Sequence, residues 1–261
     1  MSSPTFSAAT YNVLADAYIK PGRYPNCDPA DLEPRRRRAL LLDTVEGLGA
    51  DLLCLQEVEP SAFADLSRRL AATHAGVHAV KPGKDEGLAI FAHTSFTIEG
   101  HTTLQYEAQG SGQQALVATL RHGAKRLALA CTHLKWQPRS TAPSEHVGRL
   151  QLMELLGRRG ALAPGVAPWI IAGDFNAGIQ SDVLNAALAD GTLDISCRAQ
   201  RPWDTTNING RRRKLDFLLH TPAQLSPDPR PLGIRLERST PMPSARFASD
   251  HLPVVVDFAW R

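Results

Sequence analysis

A single α/β domain with its sheets packed in layers is what this sequence predicts, on three observations. Apolar runs of strand length are interspersed with segments whose apolar residues recur at helical spacing, in one continuous series. No linker, low-complexity segment or repeat of fixed short period interrupts the series. The 261 residues are enough for one sizeable core, so residues 1–261 are read as one domain.

Taken in order, residues 6–14 read as a strand. Pro34 then opens RRRRALLLDTVEGLG, a helix that ends near Gly47 or Gly49. DLLCLQEV (51–58) is a continuous apolar strand closed by Glu57. Residues 61–74 fit a helix capped by Ser61, with Phe63, Leu66 and Leu70 at helical spacing. GLAIFAHT (87–94) follows as a strand, and residues 115–120 and 126–134 form a hairpin across His122-Gly123-Ala124. Residues 144–159 read as a helix, 169–172 as a strand, and Ser181 caps a short helix in DVLNAALADG. KLDFLLHT (214–221), LGIRLERST (232–240) and HLPVVVDF (251–258) supply the last strands, while residues 222–231 read as a proline-rich surface connection.

Composition narrows the class. The 43% hydrophobic content is ordinary, and no apolar run approaches the roughly 18 residues of a bilayer span. The start MSSPTFSAATYNVL lacks the basic segment, apolar core and cleavage site of a secretory leader, which points to a cytoplasmic protein with no membrane partner. Cys27, Cys54, Cys131 and Cys197 are widely spaced, two of them in apolar runs, which favours reduced thiols over a disulfide frame or zinc site. A net charge of +3 is too small to announce nucleic acid, and the basic runs at 35–38 and 211–214 read most simply as solvated faces.

The polar residues at strand ends carry the chemistry. Asn12, Glu57, His133, Asp174 with Asn176, and Asp216 each finish an apolar strand or stand near one end of it, and Asp250 with His251 opens another. Buried carboxylates are costly unless paired, hydrogen-bonded or bound to a cation, so their convergence around one ion is the economical arrangement. Oxygen-rich ligands without paired cysteines suit a hard cation, Mg²⁺ or Mn²⁺, and such ions work on phosphate.

In the order TYNVLAD, LQEVE, TH, GDFN, LDF and SDH, this set resembles the endonuclease/exonuclease/phosphatase superfamily, the deoxyribonuclease I-like phosphoesterases, over nearly the whole chain. TYNVLADAYIK, EGLAIF, THLKWQP, TTN and PSARFASDHLPV are most similar to its branch of carbon-catabolite-repressor-type deadenylases, nocturnin, Angel and 2′,5′-phosphodiesterases. The resemblance implies a layered sandwich of two mixed β-sheets flanked by helices. It implies Glu57 as the principal Mg²⁺ ligand with Asn12 beside it on metal or phosphate, Asp174 orienting or deprotonating water, and Asn176 holding a phosphate oxygen. It also implies His133 and His251 as donors to phosphate, His251 aligned by Asp250, and Asp216 completing the site.

Poly(A)-specific relatives place an aromatic residue shortly before the LDF-type aspartate, where this chain has GRRRK (210–214); two readings stand, an arginine that stacks on a base or grips phosphate in place of the aromatic ring, and a plain solvated loop. Trp136, Pro138, Asn207 and Arg211 are the expected substrate contacts. No leucine-rich repeats are present, so recruitment through that module is not expected. These features predict a Mg²⁺-dependent phosphodiesterase acting on RNA ends or short oligonucleotides as a 3′ exonuclease. A nucleotide or RNA-terminal phosphatase is the second reading; an abasic-site endonuclease, a lipid phosphodiesterase and an inactive binding module rank below both.

Overall fold

The structure, a computed structural model, describes residues 5–20, 22–198, 201 and 203–261, so the first four residues of the N-terminal stretch lie outside it. In chain order the elements are β1 (Thr5–Asn12), α1 (Pro34–Gly47), β2 (Leu52–Val58), α2 (Pro60–Arg69), β3 (His74–Val80), β4 (Gly87–His93) and β5 (Phe96–Gln105). There follow β6 (Gln114–His122), β7 (Lys125–His133), α3 (Val147–Leu162), β8 (Trp169–Asp174), α4 (Asp182–Leu188) and β9 (Asp194–Ile195). The chain closes with β10 (Thr206–Ile208), β11 (Arg211–Arg213), β12 (Asp216–His220), β13 (Leu225–Pro229) and β14 (Val254–Trp260).

Two six-stranded sheets result, ordered β13-β14-β1-β2-β4-β3 and β5-β6-β7-β8-β12-β9, with β10-β11 as a separate ribbon. Each sheet is mixed: β1–β2 and β7–β8 pair in parallel and the other neighbours antiparallel. Strand period explains the layers. On β1 and β2, Phe6, Ala8, Leu52 and Cys54 join the cluster shared with Leu116, Leu129, Ile171 and Leu218 of the other sheet, while Ala9, Tyr11, Leu53 and Leu55 face Leu41, Val45 and Leu66 of α1 and α2. Both faces of these strands are covered, which is why DLLCLQEV reads as unbroken apolar sequence.

Five elements differ from expectation. The helix after β2 begins at Pro60 and ends at Arg69, and Ser61 does not cap it; its N-cap Glu59 makes no side-chain cap bond. Residues 74–80 and 96–105 are strands β3 and β5 whose outer faces are exposed, so their polar side chains hide the strand period. The proline-rich connection contains β13, an edge strand where a missing N–H is tolerated. LGIRLERST forms no strand; Leu236 instead packs with Met242 and Leu252 in a small cluster of its own. No helix among the described residues is long and apolar enough to cross a membrane.

Candidate active site

Strand register brings the polar ends together. His133 pairs with Asp174 across β7–β8, and Asp174 with Asp216 across β8–β12, so three side chains stand in a row on one face at one end of the second sheet. Gly173 permits the close approach of β7 and β8, since a Cβ there would lie 1.9 Å from the Thr132 carbonyl oxygen. Asn12, at the end of β1, enters from the first sheet and donates through Nδ2 to Glu57 Oε1 at 2.9 Å and Asp174 Oδ2 at 3.2 Å.

Glu57 reaches this cluster by breaking the alternation of its own strand. Gln56 turns toward the second sheet and bonds Cys131, so a regular Glu57 would point to the helix side. A register shift between Gln56 and Val58, with a φ of +59° at Glu57, swings its carboxylate back to Asn12. A left-handed backbone at a side-chain-bearing residue costs on the order of 1–3 kcal/mol, and such strain gathers at functional sites. The Ala15 amide donates to Glu57 Oε2 at 3.1 Å and completes its anchoring.

GDFN forms a turn that follows from its composition. The Asn176 amide donates to Asp174 Oδ1 at 2.8 Å, and Asn176 adopts a φ of +49°, a region asparagine tolerates. Its side-chain Nδ2 donates to the Leu134 carbonyl at 2.9 Å and meets His133 Nε2 at 3.1 Å. Both amide protons are thereby engaged within the protein, one of them against His133. Donation to Nε2 leaves the ring proton on His133 Nδ1, which is buried without a hydrogen-bond partner.

His251 is aligned by Asp216, not by Asp250 as expected. Its Nδ1 lies 3.0 Å from both Asp216 oxygens, and Thr205 Oγ1 donates to Asp216 Oδ2 at 2.6 Å. Asp250 turns elsewhere and accepts from Tyr24 Oη at 3.0 Å. The pKa values of the two histidines are consequently displaced in opposite directions. Burial opposes charge on both, but Asp216 and Asp174 outweigh it at His251 and hold its pKa well above the usual histidine value. At His133 burial, reinforced by the charge of Lys81, keeps the ring neutral with its pKa well below that value.

The carboxylates are equally displaced. Burial pushes Asp174 up to about 7, helped by the charge of Asp216 against the pull of His251. Burial and then the charge of Asp250 raise Glu57. Among the described residues no Lys or Arg ion-pairs with Glu57, Asp174, Asp216 or Asp250; the ionisable partners of the first three are histidines, at 3.0–4.0 Å. Asp174, Asp216 and His251 offer ligand atoms within 4.8 Å of one another, and His251 Nδ1 is engaged by Asp216 at 3.0 Å.

The other expected contacts divide. Trp136 and Pro138 line a groove of about 860 Å³ that also touches Asn176. Arg211 is not on that groove, whereas its neighbours Arg212, Arg213 and Lys214 are. Asn207 is buried and spends its Nδ2 on the carbonyls of Glu237, Arg238 and Thr240, at 3.0, 3.4 and 2.6 Å, which anchors a loop, while its Oδ1 has no hydrogen-bond partner. Asn12 presents a donor to the cluster while its Oδ1 accepts from the Leu14 amide at 3.0 Å, which suits it to carboxylate or phosphate oxygen and not to a cation.

Sequence reasoning passed over Lys81, Glu86 and Arg37. Lys81 and Glu86 form a buried pair at 2.8 Å, joined by Tyr18 Oη at 3.0 Å. Arg37, 5% exposed in a run read as solvated, donates to the carbonyls of Leu14 and Ala248 and to Asp16. Its position four residues before Leu41 and eight before Val45, on the buried stripe of α1, was the available signal.

The 2′,5′-phosphodiesterase 12 of Bos taurus is 26% identical over 318 residues, covering 97% of this chain and 51% of the relative, so the chain spans about half the length of that protein. Nocturnin of Rattus norvegicus is 26% identical over 292 residues, covering 99% of this chain and 67% of the relative. Two solved structures share the fold. ANGEL2, a 2′,3′-cyclic phosphatase in complex with adenosine-2′,3′-vanadate, has a TM-score of 0.83 at 17% identity and covers 99% of this chain and 96% of its own. The human nocturnin catalytic domain with bound sulfate has a TM-score of 0.76 at 24% identity, covering 99% and 94%. Residues 9–251, a span that holds every site residue from Asn12 to His251, match the Endonuclease/Exonuclease/phosphatase family, and the chain belongs to it.

Proposed function

We propose that this protein is a divalent-cation-dependent phosphodiesterase that hydrolyses RNA ends or short oligonucleotides as a 3′ exonuclease, with Mg²⁺ or Mn²⁺ held at Glu57. The observation that carries this reading is the gathering of four buried carboxylates with two buried histidines and, among the described residues, no Lys or Arg paired to the acids. The residues fit a hard cation: Glu57 is an anchored carboxylate raised by burial and by Asp250, a field that a divalent ion would relieve. When bound, such an ion neutralises phosphate oxygens and lowers the pKa of water.

The chain's own side chains divide the remaining work. Asp174, poised near neutrality, orients water and takes its proton. His251, kept protonated and aimed by Asp216, donates to a phosphate oxygen as negative charge builds. His133 donates from Nδ1, its ring fixed by Asn176. Asn12 ties Glu57 to Asp174 across the two sheets.

The test is turnover, with Mg²⁺ or Mn²⁺, of bis(4-nitrophenyl) phosphate and of a panel holding oligo(A), oligo(U), 2′,5′-oligoadenylate, cyclic-phosphate-ended RNA and NADP. Hydrolysis that stops on chelation, returns on metal addition and falls ~10²–10³-fold in Asp174→Asn is expected. Silence toward the whole panel with both metals would end the phosphodiesterase reading. Preference for cyclic-phosphate-ended RNA or NADP would establish the phosphatase alternative.

A further inference from the structure

We propose that the groove beside the catalytic cluster binds the body of a single-stranded oligonucleotide, its phosphates held by Arg139 and Arg213 and one base stacked on Trp136. This rests on the phosphodiesterase reading and adds a substrate requirement to it: length beyond the terminal nucleotide. The groove has about 860 Å³ and reaches Asn176, whose amide touches His133, so it is continuous with the catalytic end. Small-molecule sites span roughly 300–1,000 Å³, so a space near the upper limit beside the reacting centre leaves room beyond the group being cleaved.

Charge identifies the occupant. Arg139, Arg212, Arg213 and Lys214 line the groove against two carboxylates, Asp182 and Asp204. Arg212 is committed to the Leu236 carbonyl at 2.6 Å and to Asp204 at 3.8 Å. Arg139 and Arg213 have no ion pair or side-chain hydrogen bond among the described residues, whereas the arginines of α1 and α2 that face carboxylates are paired. Guanidinium groups left free on a groove wall are ready for phosphate.

Trp136 supplies the second recognition element. It is 51% exposed and is the aromatic ring among the exposed large hydrophobic side chains of the described residues. Trp203, at another part of the groove, is instead packed against Phe217. A half-exposed ring on the same groove as two unpaired guanidinium groups supplies the two elements of single-strand binding, a stacking surface and a backbone-tracking charge. A lone nucleotide at the catalytic cluster has no use for two further cations and a ring outside it.

Binding without turnover tests this. In EDTA, a fluorescein-labelled hexaribonucleotide is titrated with the full chain across a salt series and followed by anisotropy. The Arg139→Ala/Arg213→Ala variant is expected to lower the slope of log K against log salt by about 1.4, at roughly 0.7 per phosphate contact on a single strand. Trp136→Ala is expected to weaken binding ~5–100-fold. Arg35→Ala, which removes an unpaired exposed arginine on α1, leaves affinity and slope as in the wild type, and circular dichroism checks that each variant is folded. An unchanged slope and affinity in the double arginine variant, or wild-type affinity in Trp136→Ala, overturns the proposal. Equal competition by a phosphopeptide of the same charge overturns the nucleic-acid assignment. Wild-type turnover of bis(4-nitrophenyl) phosphate, too small to span the groove, judges the catalytic reading separately, so failure of one is not failure of the other.

Discussion

Asp216 accepts from His251 Nδ1 at 3.0 Å and from Thr205 at 2.6 Å, so its replacement separates shape from charge. Asp216→Asn keeps the size of the side chain but offers an amide that cannot favour an imidazolium. His251 then loses the largest of the carboxylate influences that hold it protonated, and the tautomer facing Asp174 changes. Loss of such an orienting carboxylate costs on the order of 10³–10⁴-fold in kcat where it has been measured in comparable histidine-carboxylate pairs. Because Asp216 acts through His251, the kcat loss should come with a shift to lower pH of the alkaline limb of the pH–rate profile. A profile displaced only in height would show that Asp216 merely supports the fold. Asn176→Ala offers a milder contrast: His133 loses its Nε2 partner at 3.1 Å, and kcat should fall with little change in KM.

At the scale of elements, the loops that carry catalytic groups are tied together by one side chain of α1. Arg37 spans the turn after β1 and the loop before β14, donating to the Leu14 and Ala248 carbonyls and to Asp16. The first turn places the Ala15 amide on Glu57, and the second leads through Ser249 to His251, whose amide donates to Ser249 Oγ at 3.1 Å. Arg37→Met fills the same space but leaves two buried carbonyls without a donor, a loss of about 2–4 kcal/mol, which lowers Tm by roughly 5–15 °C for a chain of this size. Arg37→Lys, which keeps one charged donor, should recover part of both Tm and turnover; a methionine variant as stable as the wild type would remove Arg37 from this role. What was legible in the sequence follows the same physics. Polar residues ending apolar strands stood out at Asn12, His133, Asp174 and Asp216, because a buried strand gives no other reason for them. Glu57 was legible as a residue but not as a bulge, since alternation alone aims it at α2. Arg37 was lost in a run of four arginines, and β3 and β5 were lost because one exposed face of polar side chains erases the period-two signal.

The whole molecule carries a second titration, in three histidines outside the catalytic cluster. His74 sits between the Ala50 carbonyl at 3.0 Å and Thr73, His78 donates to the Val58 carbonyl at 2.9 Å, and His220 lies between Ser196 and the Asp194 carbonyl at 3.0 and 3.1 Å. Burial holds the pKa of each below the usual histidine value. The sign follows from linkage: as pH falls through ~6.5 the unfolded chain takes up protons that these folded histidines refuse, so their stabilisation is complete above that pH and is lost below it. His251 acts in the opposite sense, since its raised pKa stabilises the folded state in acid and that contribution fades as pH rises through the folded value. The net curve mixes the two, but a variant subtracts one histidine at a time. His220 packs against Phe258 in the interior between the sheets, and glutamine can keep a hydrogen bond there without titrating. His220→Gln should therefore lose some stability at pH 8 and less at pH 5, so that the gap between its urea midpoint and that of the wild type narrows on acidification. A gap that stays constant from pH 8 to pH 5 would show that His220 carries no protonation-linked stability, and the acid sensitivity would then have to be sought in His74, His78 and the carboxylates of the site.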